Sequence, residues 1–121
     1  MHFKNHLILL CSLFFFNHAF ADQDITLVNH EFAGTKQWLP GTIVAYVGEK
    51  ITITLINNAP SGIHGFAIPD FDQKDEVKKG EKKTLSFVAS KAGIFPIKCH
   101  LHPAHVGGQL VILEKPIEPK K

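Results

Sequence analysis

The chain has 121 residues, with thirteen lysines, no arginine and eleven acidic side chains, for a formal net charge of +2. A chain of this length predicts a single domain. The nearly balanced charge and the lack of arginine argue against a nucleic-acid partner, which requires a basic face with arginine contacts.

The first 21 residues predict a secretory signal peptide. A lysine near the start precedes the almost wholly apolar residues 7–16, and residues 19–21 (Ala-Phe-Ala) form a small-x-small cleavage site. The apolar run is shorter than the roughly 20 residues that cross a bilayer. We therefore predict cleavage before Asp22, with an uncleaved anchor as the alternative. The mature protein, residues 22–121, is expected to be periplasmic or otherwise exported and not an integral membrane protein.

Short runs of alternating apolar and polar residues, separated by turn signals, recur through the mature chain. Such runs are typical of an all-β sandwich or barrel. Residues 51–56 alternate most clearly and place three apolar side chains on one face. The runs, in chain order, are residues 25–28, 43–47, 51–56, 66–68, 84–88, 94–99 and 110–113. We predict an all-β fold, a two-sheet Greek-key β-sandwich of seven or eight strands.

Two charged segments are predicted to lie outside the strands. Residues 70–83 are rich in lysine and acidic residues and are interpreted as a solvated excursion. Residues 114–121 contain two prolines and three lysines and are predicted to form a flexible tail.

The stretch Cys-His-Leu-His-Pro-Ala-His, from Cys99 to His105, brings one thiol and three imidazoles close together in sequence. Alternation places Cys99 on the same inward face as the apolar Ile97, and His100 on the opposite face, so His100 is the least favoured ligand. Once the strand turns into a loop, the spacing of three residues lets His102 meet the sulfur. A thiolate with imidazoles suits copper well and zinc acceptably.

A further imidazole is expected from His64, which follows the loop "NNAPSGI" in a different part of the chain. Ligands from two distant loops would hold an ion at one end of the sandwich. We predict one mononuclear copper ion bound by His64, Cys99, His102 and His105. For His105 the alternative is a surface residue near the site. The alternative is that Cys99, the only cysteine of the mature chain and therefore without an internal disulfide, is a small buried hydrophobe.

At these motifs the sequence resembles the cupredoxins, and most closely the nitrosocyanin-like red copper proteins. The segment "NNAPSGIHGFAIPD" resembles the cupredoxin first-ligand loop, and "AGIFPIKCHLHPAHVGGQLVIL" resembles the C-terminal strand–loop–strand. The resemblance covers about residues 25–114 and implies a cupredoxin-like Greek-key β-sandwich. It implies that Cys99 supplies a thiolate and His102 an imidazole. It also places His105 in the loop where nitrosocyanin has its second C-terminal histidine.

The sequence departs from that pattern in three respects. His64 stands where nitrosocyanin has a glutamate ligand and ordinary blue copper proteins have histidine. The only methionine, Met1, lies in the predicted signal peptide, so the mature chain has no axial methionine. Gly65 stands where many blue copper proteins have an asparagine that supports the sulfur, so this support must come from the backbone or be absent. A nitrogen donor in place of a thioether predicts a lower reduction potential and a colour shifted toward green or red.

Three functions are compatible with this reading. We expect one-electron transfer with an unknown redox protein. The alternatives are a periplasmic module that exchanges copper with a donor or acceptor, and a redox or sensing site for a small molecule such as nitric oxide. No acid–base pair or nucleophile motif indicates a hydrolase.

Overall fold

The computed structural model describes residues 21–120. Within that range the chain forms nine strands and one short 3-10 helix, Pro69–Phe71. The strands are β1 Gln23–Phe32, β2 Thr35–Leu39, β3 Thr42–Tyr46, β4 Lys50–Asn57, β5 His64–Ile68, β6 Gln73–Val77, β7 Lys82–Val88, β8 Gly93–Ile97 and β9 Gly108–Leu113. Almost all of the signal peptide predicted for residues 1–21 lies outside the described residues.

The strands form three sheets that share one core. The first sheet has the order β2-β1-β4-β7, with β1 and β4 parallel. The second has the order β3-β9-β8, and the third consists of β5 and β6. A two-way backbone bridge between Ala67 and Lys98, with N···O distances of 2.8 and 3.0 Å, joins the third sheet to the end of β8. This arrangement confirms the predicted all-β class, with nine strands where seven or eight were predicted.

The core contains the apolar faces that strand alternation predicted. Ile51, Ile53 and Leu55 of β4 are fully buried, while the residues between them are only partly buried. Trp38 of β2 packs edge-on against Phe66 of β5, with ring centroids 5.8 Å apart. Apolar burial on this scale is the main stabilising contribution to a domain of this size.

Two of the nine strands were not predicted from the sequence. β6 lies inside residues 70–83, so the interpretation of that whole segment as a solvated excursion is wrong. Four of the five residues of β6 are polar, and only Val77 is buried. β6 is a strand because β5 supplies a complete antiparallel partner, with His64 opposite Val77. β2 likewise pairs with β1 along its whole length. Tertiary pairing therefore overrides local propensity at both places.

The C-terminal residues 114–120 are exposed and have no regular secondary structure. Their flexibility remains a prediction. No helix among residues 21–120 has the length and apolar character required to cross a membrane.

Candidate metal centre

Ligand atoms from two distant chain segments converge at one end of the sandwich. His64 begins β5, Cys99 follows β8, and His105 lies in the connection from β8 to β9. One ligand atom from each of these three residues lies within 4.8 Å of the other two, and all three residues are buried. The predicted meeting of His64 with the cysteine loop is therefore present in the folded chain.

The sulfur of Cys99 is held by a backbone group. Cys99 is only 6% exposed, and its Sγ accepts a hydrogen bond from the backbone N–H of Gly65 at 3.2 Å. This contact answers the question that the sequence left open, because the support comes from the backbone of residue 65. A Cβ at residue 65 would lie 2.5 Å from Nδ1 of His100, so a larger side chain there would have to displace the His100 ring. A hydrogen bond to the sulfur stabilises the thiolate and tunes a metal bound to it.

His102 lies beside the three clustered residues. Its Nδ1 is 3.6 Å from Sγ of Cys99, and its ring centroid is 4.8 Å from that of His64. Unlike the other three, His102 is only partly buried. The structure therefore places all four predicted ligands together, with His102 on the outer side.

His64 presents an unpartnered nitrogen. Its Nε2 is 2.9 Å from the hydroxyl of Ser61, whereas its Nδ1 is buried and has no hydrogen-bond partner. Ser61 also hydrogen-bonds the Glu31 side chain, and this bond lowers the pKa of that carboxyl. A buried ring nitrogen without a partner carries a desolvation cost, which a bound cation would remove.

His105 is held on both sides. It is 7% exposed; its Nε2 lies 2.9 Å from Oδ1 of Asn29, and its Nδ1 lies 3.1 Å from the carbonyl oxygen of Val106. Its ring centroid is 5.3 Å from that of His64. Neither Asn29 nor Ser61 was predicted to belong to the site. For Asn29 a signal exists, because it is a polar residue on the inward face of an alternating strand.

Burial is the main cause of the lowered histidine pKa values in the cluster. Desolvation lowers the pKa of His64 and of His105, and the nearby His102 lowers both further. The backbone carbonyl of Val106 opposes this shift at His105. Both buried rings are therefore neutral near pH 7, which is the protonation state that binds metal ions.

The remaining histidines of residues 21–120 lie elsewhere. The ring of His100 covers Gly65, and its Nε2 is 3.7 Å from Oε1 of Glu76. His30 is exposed on β1. Neither belongs to the cluster, in line with the expectation that His100 is the least favoured ligand.

The donor set fits copper. It combines one soft thiolate sulfur with neutral imidazoles, and the cluster contains no carboxylate. Sulfur and imidazole together favour copper over the hard cations that prefer oxygen. The burial of the cluster and the free Nδ1 of His64 suit one ion held among these side chains.

The fold and this site define a cupredoxin. The family model described as "Cupredoxin-like domain" matches residues 6–112, and the chain belongs to that family. No functionally curated protein has a significant sequence match to the chain.

Several solved copper proteins share the fold. The copper nitrite reductase from Nitrosomonas europaea aligns with a TM-score of 0.68 and 18% identity over 78% of this chain and 42% of its own. The blue copper oxidase from the same organism aligns with a TM-score of 0.62 and 16% identity, covering 79% of this chain and 40% of its own. The multicopper oxidase mgLAC aligns with a TM-score of 0.63 and 16% identity, covering 79% of this chain and 40% of its own. At these identities the likeness concerns the fold alone, and this chain spans less than half the length of each relative.

Proposed function

We propose that the mature chain is an exported one-electron carrier that binds one copper ion through His64, Cys99, His102 and His105. The observation that carries the proposal is the buried convergence of His64, Cys99 and His105 within 4.8 Å in a cupredoxin domain. An apolar side chain would pack better at this position than a thiol among neutral imidazoles. Packing alone therefore does not explain the cluster.

The residues of the site have different roles. Copper, when bound, supplies the exchange of one electron between its Cu(I) and Cu(II) states. Cys99 contributes the soft ligand, and the N–H of Gly65 limits the negative charge on its sulfur. His64 stands at the start of a fully buried strand, so its position is set by the sheet and not by a mobile loop. Ligands held in this way move little between two oxidation states, which suits electron transfer.

His102 gives a partner access to the site. Its ring is partly exposed, and the neighbouring Pro103, Ala104 and Val106 are exposed. A redox protein that docks on this surface would approach the His102 edge more closely than any other proposed ligand. The partner we propose is accordingly a redox protein with a surface that complements this small apolar loop.

The same exposure favours copper delivery as a second candidate function. A ligand that is accessible from solvent can be exchanged for a ligand of an acceptor protein without unfolding the site. Electron transfer and delivery differ in outcome, because a carrier retains its ion through many redox cycles and a delivery module releases it.

Two finer assignments belong with this proposal. We propose that residues 1–21 are a signal peptide, and mass spectrometry of the protein from the periplasmic fraction would identify Asp22 as its first residue. We also propose that the chain is related to nitrosocyanin within the cupredoxins. The Cys-x-x-His loop and a second loop histidine, His105, support this relationship, while His64 sets the chain apart from it.

Copper reconstitution of the mature protein tests the function. We expect visible thiolate-to-copper absorption, a Cu(II) paramagnetic signal from one ion per chain, and reversible one-electron reduction at a lower potential than that of methionine-ligated sites. Rapid loss of Cu(I) to a competing chelator, with slow electron exchange, would favour delivery instead. Spectra typical of an ordinary blue site, and unchanged in His105→Ala, would rule out close ligation by His105.

A further inference from the structure

We propose that Asn29 is a positioning residue, which fixes the ring tautomer of His105 and so presents Nδ1 of that ring to the metal ion. This inference rests on the proposed copper site. It assigns a role to a side chain that touches no proposed ligand other than His105, and it follows from a chain of buried hydrogen bonds with unambiguous donors and acceptors.

The chain of bonds begins at Asn57, the last residue of β4. Its Nδ2 lies 2.7 Å from the carbonyl oxygens of both Gly62 and Val77, and its Oδ1 accepts the backbone N–H of Ala59 at 3.0 Å. Two acceptors on one side and a donor on the other leave only one orientation for the carboxamide. Asn57 is completely buried, so no water competes for these contacts.

Asn57 in turn orients Asn29. The two residues are register partners on the parallel strands β1 and β4, and both are completely buried. Because Oδ1 of Asn57 can only accept, the group that lies 3.2 Å from it must be the amide nitrogen of Asn29. The Oδ1 of Asn29 therefore points toward His105, where it lies 2.9 Å from Nε2.

This orientation determines where the proton of His105 lies. A carboxamide oxygen accepts and never donates, so Nε2 of His105 must carry a hydrogen. A neutral imidazole has only one N–H, so Nδ1 carries a lone pair. The protein atom that faces Nδ1, the carbonyl oxygen of Val106 at 3.1 Å, is a second acceptor and cannot satisfy it. A neutral ring between two acceptors leaves Nδ1 for a cation.

The opposite tautomer would also have a hydrogen-bond partner. If Nδ1 carried the hydrogen, it would donate to the Val106 carbonyl and would no longer be able to bind a metal ion. Asn29 therefore selects between a ligating and a non-ligating form of the same ring. The ring of His64 is held differently, because its Nε2 contacts the hydroxyl of Ser61 and not a buried carboxamide.

The network also links the two ligand loops. Asn57 binds the carbonyl of Gly62, two residues before His64, and Asn29 binds His105 in the other loop. The two buried asparagines therefore place the ligands from both segments relative to one another. Outer partners of this kind typically change metal affinity by about ten- to a hundredfold when they are removed.

Asn29→Leu tests the inference, with Asn29→Asp as the conservative variant and Ser61→Ala as the matched control. The first measurement is ¹⁵N–¹H correlation of the histidine rings in the metal-free mature protein above pH 8. We expect one tautomer of His105, with hydrogen on Nε2, in the wild type, in Ser61→Ala and in Asn29→Asp, where one oxygen accepts from His105 and the other, protonated, donates to Oδ1 of Asn57. We expect hydrogen on Nδ1 in Asn29→Leu.

Copper affinity supplies the second measurement. We expect Asn29→Leu to weaken Cu(II) binding at least tenfold and to move the paramagnetic spectrum toward that of His105→Ala. In a His105→Ala background the same substitution should have no further effect on affinity. An equal loss in that background would mean that Asn29 acts only through general stability, and this would overturn the inference.

The wild-type spectrum alone can also overturn it. Hydrogen on Nδ1, or on both ring nitrogens, in the metal-free protein contradicts the assignment even if every Asn29 variant fails to fold. Conversely, wild-type protein that shows the Nε2–H tautomer but binds no copper would refute the proposed function while leaving the role of Asn29 in the ring tautomer intact.

Discussion

His102 and His105 lie three residues apart in one connection, yet the fold treats them differently. The ring of His105 is buried and contacts Asn29 and Val106, whereas the ring of His102 is partly exposed and its Nδ1 lies 3.6 Å from the sulfur of Cys99. Both residues are histidines, and each lies three residues after the preceding proposed ligand. The difference therefore arises from what packs around each ring. One histidine is positioned by the core, and the other by its loop.

Backbone anchoring explains the asymmetry. The N–H of Val106 donates to the carbonyl of Lys36 at 2.8 Å, and this contact ties the residue after His105 to strand β2. The N–H of His105 also donates to the carbonyl of His102 at 3.0 Å, which closes a turn between the two. The anchored end of the loop therefore carries the inner ring, and the turn carries the outer one toward solvent.

The largest effect is expected from Cys99→Ser, which removes the ligand that both histidines adjoin. The hydroxyl of serine stays protonated at neutral pH, so the thiolate-to-copper absorption should disappear completely. Visible absorption after addition of Cu(II) measures this, with His30→Ala as a control that leaves the spectrum intact because His30 is exposed and does not belong to the cluster. Intense visible absorption that persists in Cys99→Ser would contradict thiolate ligation.

The next effect separates the two histidines directly. In His102→Gly the vacated position opens toward solvent, so imidazole added to the buffer should restore most of the original copper spectrum. In His105→Gly the vacated position is enclosed, and added imidazole should restore little. Copper spectra titrated with imidazole measure both variants under the same conditions. Equal recovery of the two variants would show that burial does not distinguish these rings.

The sequence was sufficient to predict which side chains cluster but not which residues support them. Cys99 and His64 could be assigned because a cysteine on the inward face of a strand and a histidine after an Asn-rich loop form local patterns. The roles of Asn29 and Asn57 depend on the parallel pairing of β1 with β4, which no local pattern specifies. For the same reason β6, a polar segment that is a strand only through its pairing with β5, was predicted to be solvated.

A smaller effect is expected on the stability of the metal-free protein at different pH values. Burial lowers the pKa of His64 and His105 below the value of about 6.5 expected in the unfolded chain. Below that pH the unfolded state binds more protons, so the free energy of unfolding falls as pH decreases, by up to about 1.4 kcal/mol per pH unit for each group. Above it the contribution is fully present.

Urea unfolding between about pH 5 and about pH 8, a range that brackets the ordinary histidine pKa of about 6.5, measures this dependence. His105→Gln is the informative variant, because its side-chain amide can still donate to Asn29 but does not titrate. Its stability should depend less on pH than that of the wild type. A variant that loses stability with acid as steeply as the wild type would show that His105 does not contribute.

The smallest effect on the copper spectrum is expected from Trp38→Phe. The indole N–H of Trp38 donates to the carbonyl of Gly65 at 2.9 Å, and its ring centroid lies 6.5 Å from that of His105. Phenylalanine removes the donor and leaves a buried carbonyl unpaired, which costs about 1–3 kcal/mol of unfolding free energy. Because Gly65 also supports the sulfur of Cys99, the visible band should shift slightly while copper stays bound. Thermal unfolding and the optical spectrum together measure this, and a spectrum that changes as much as in His105→Gly would mean that Trp38, and not the asparagine pair, dominates the placement of the inner ring.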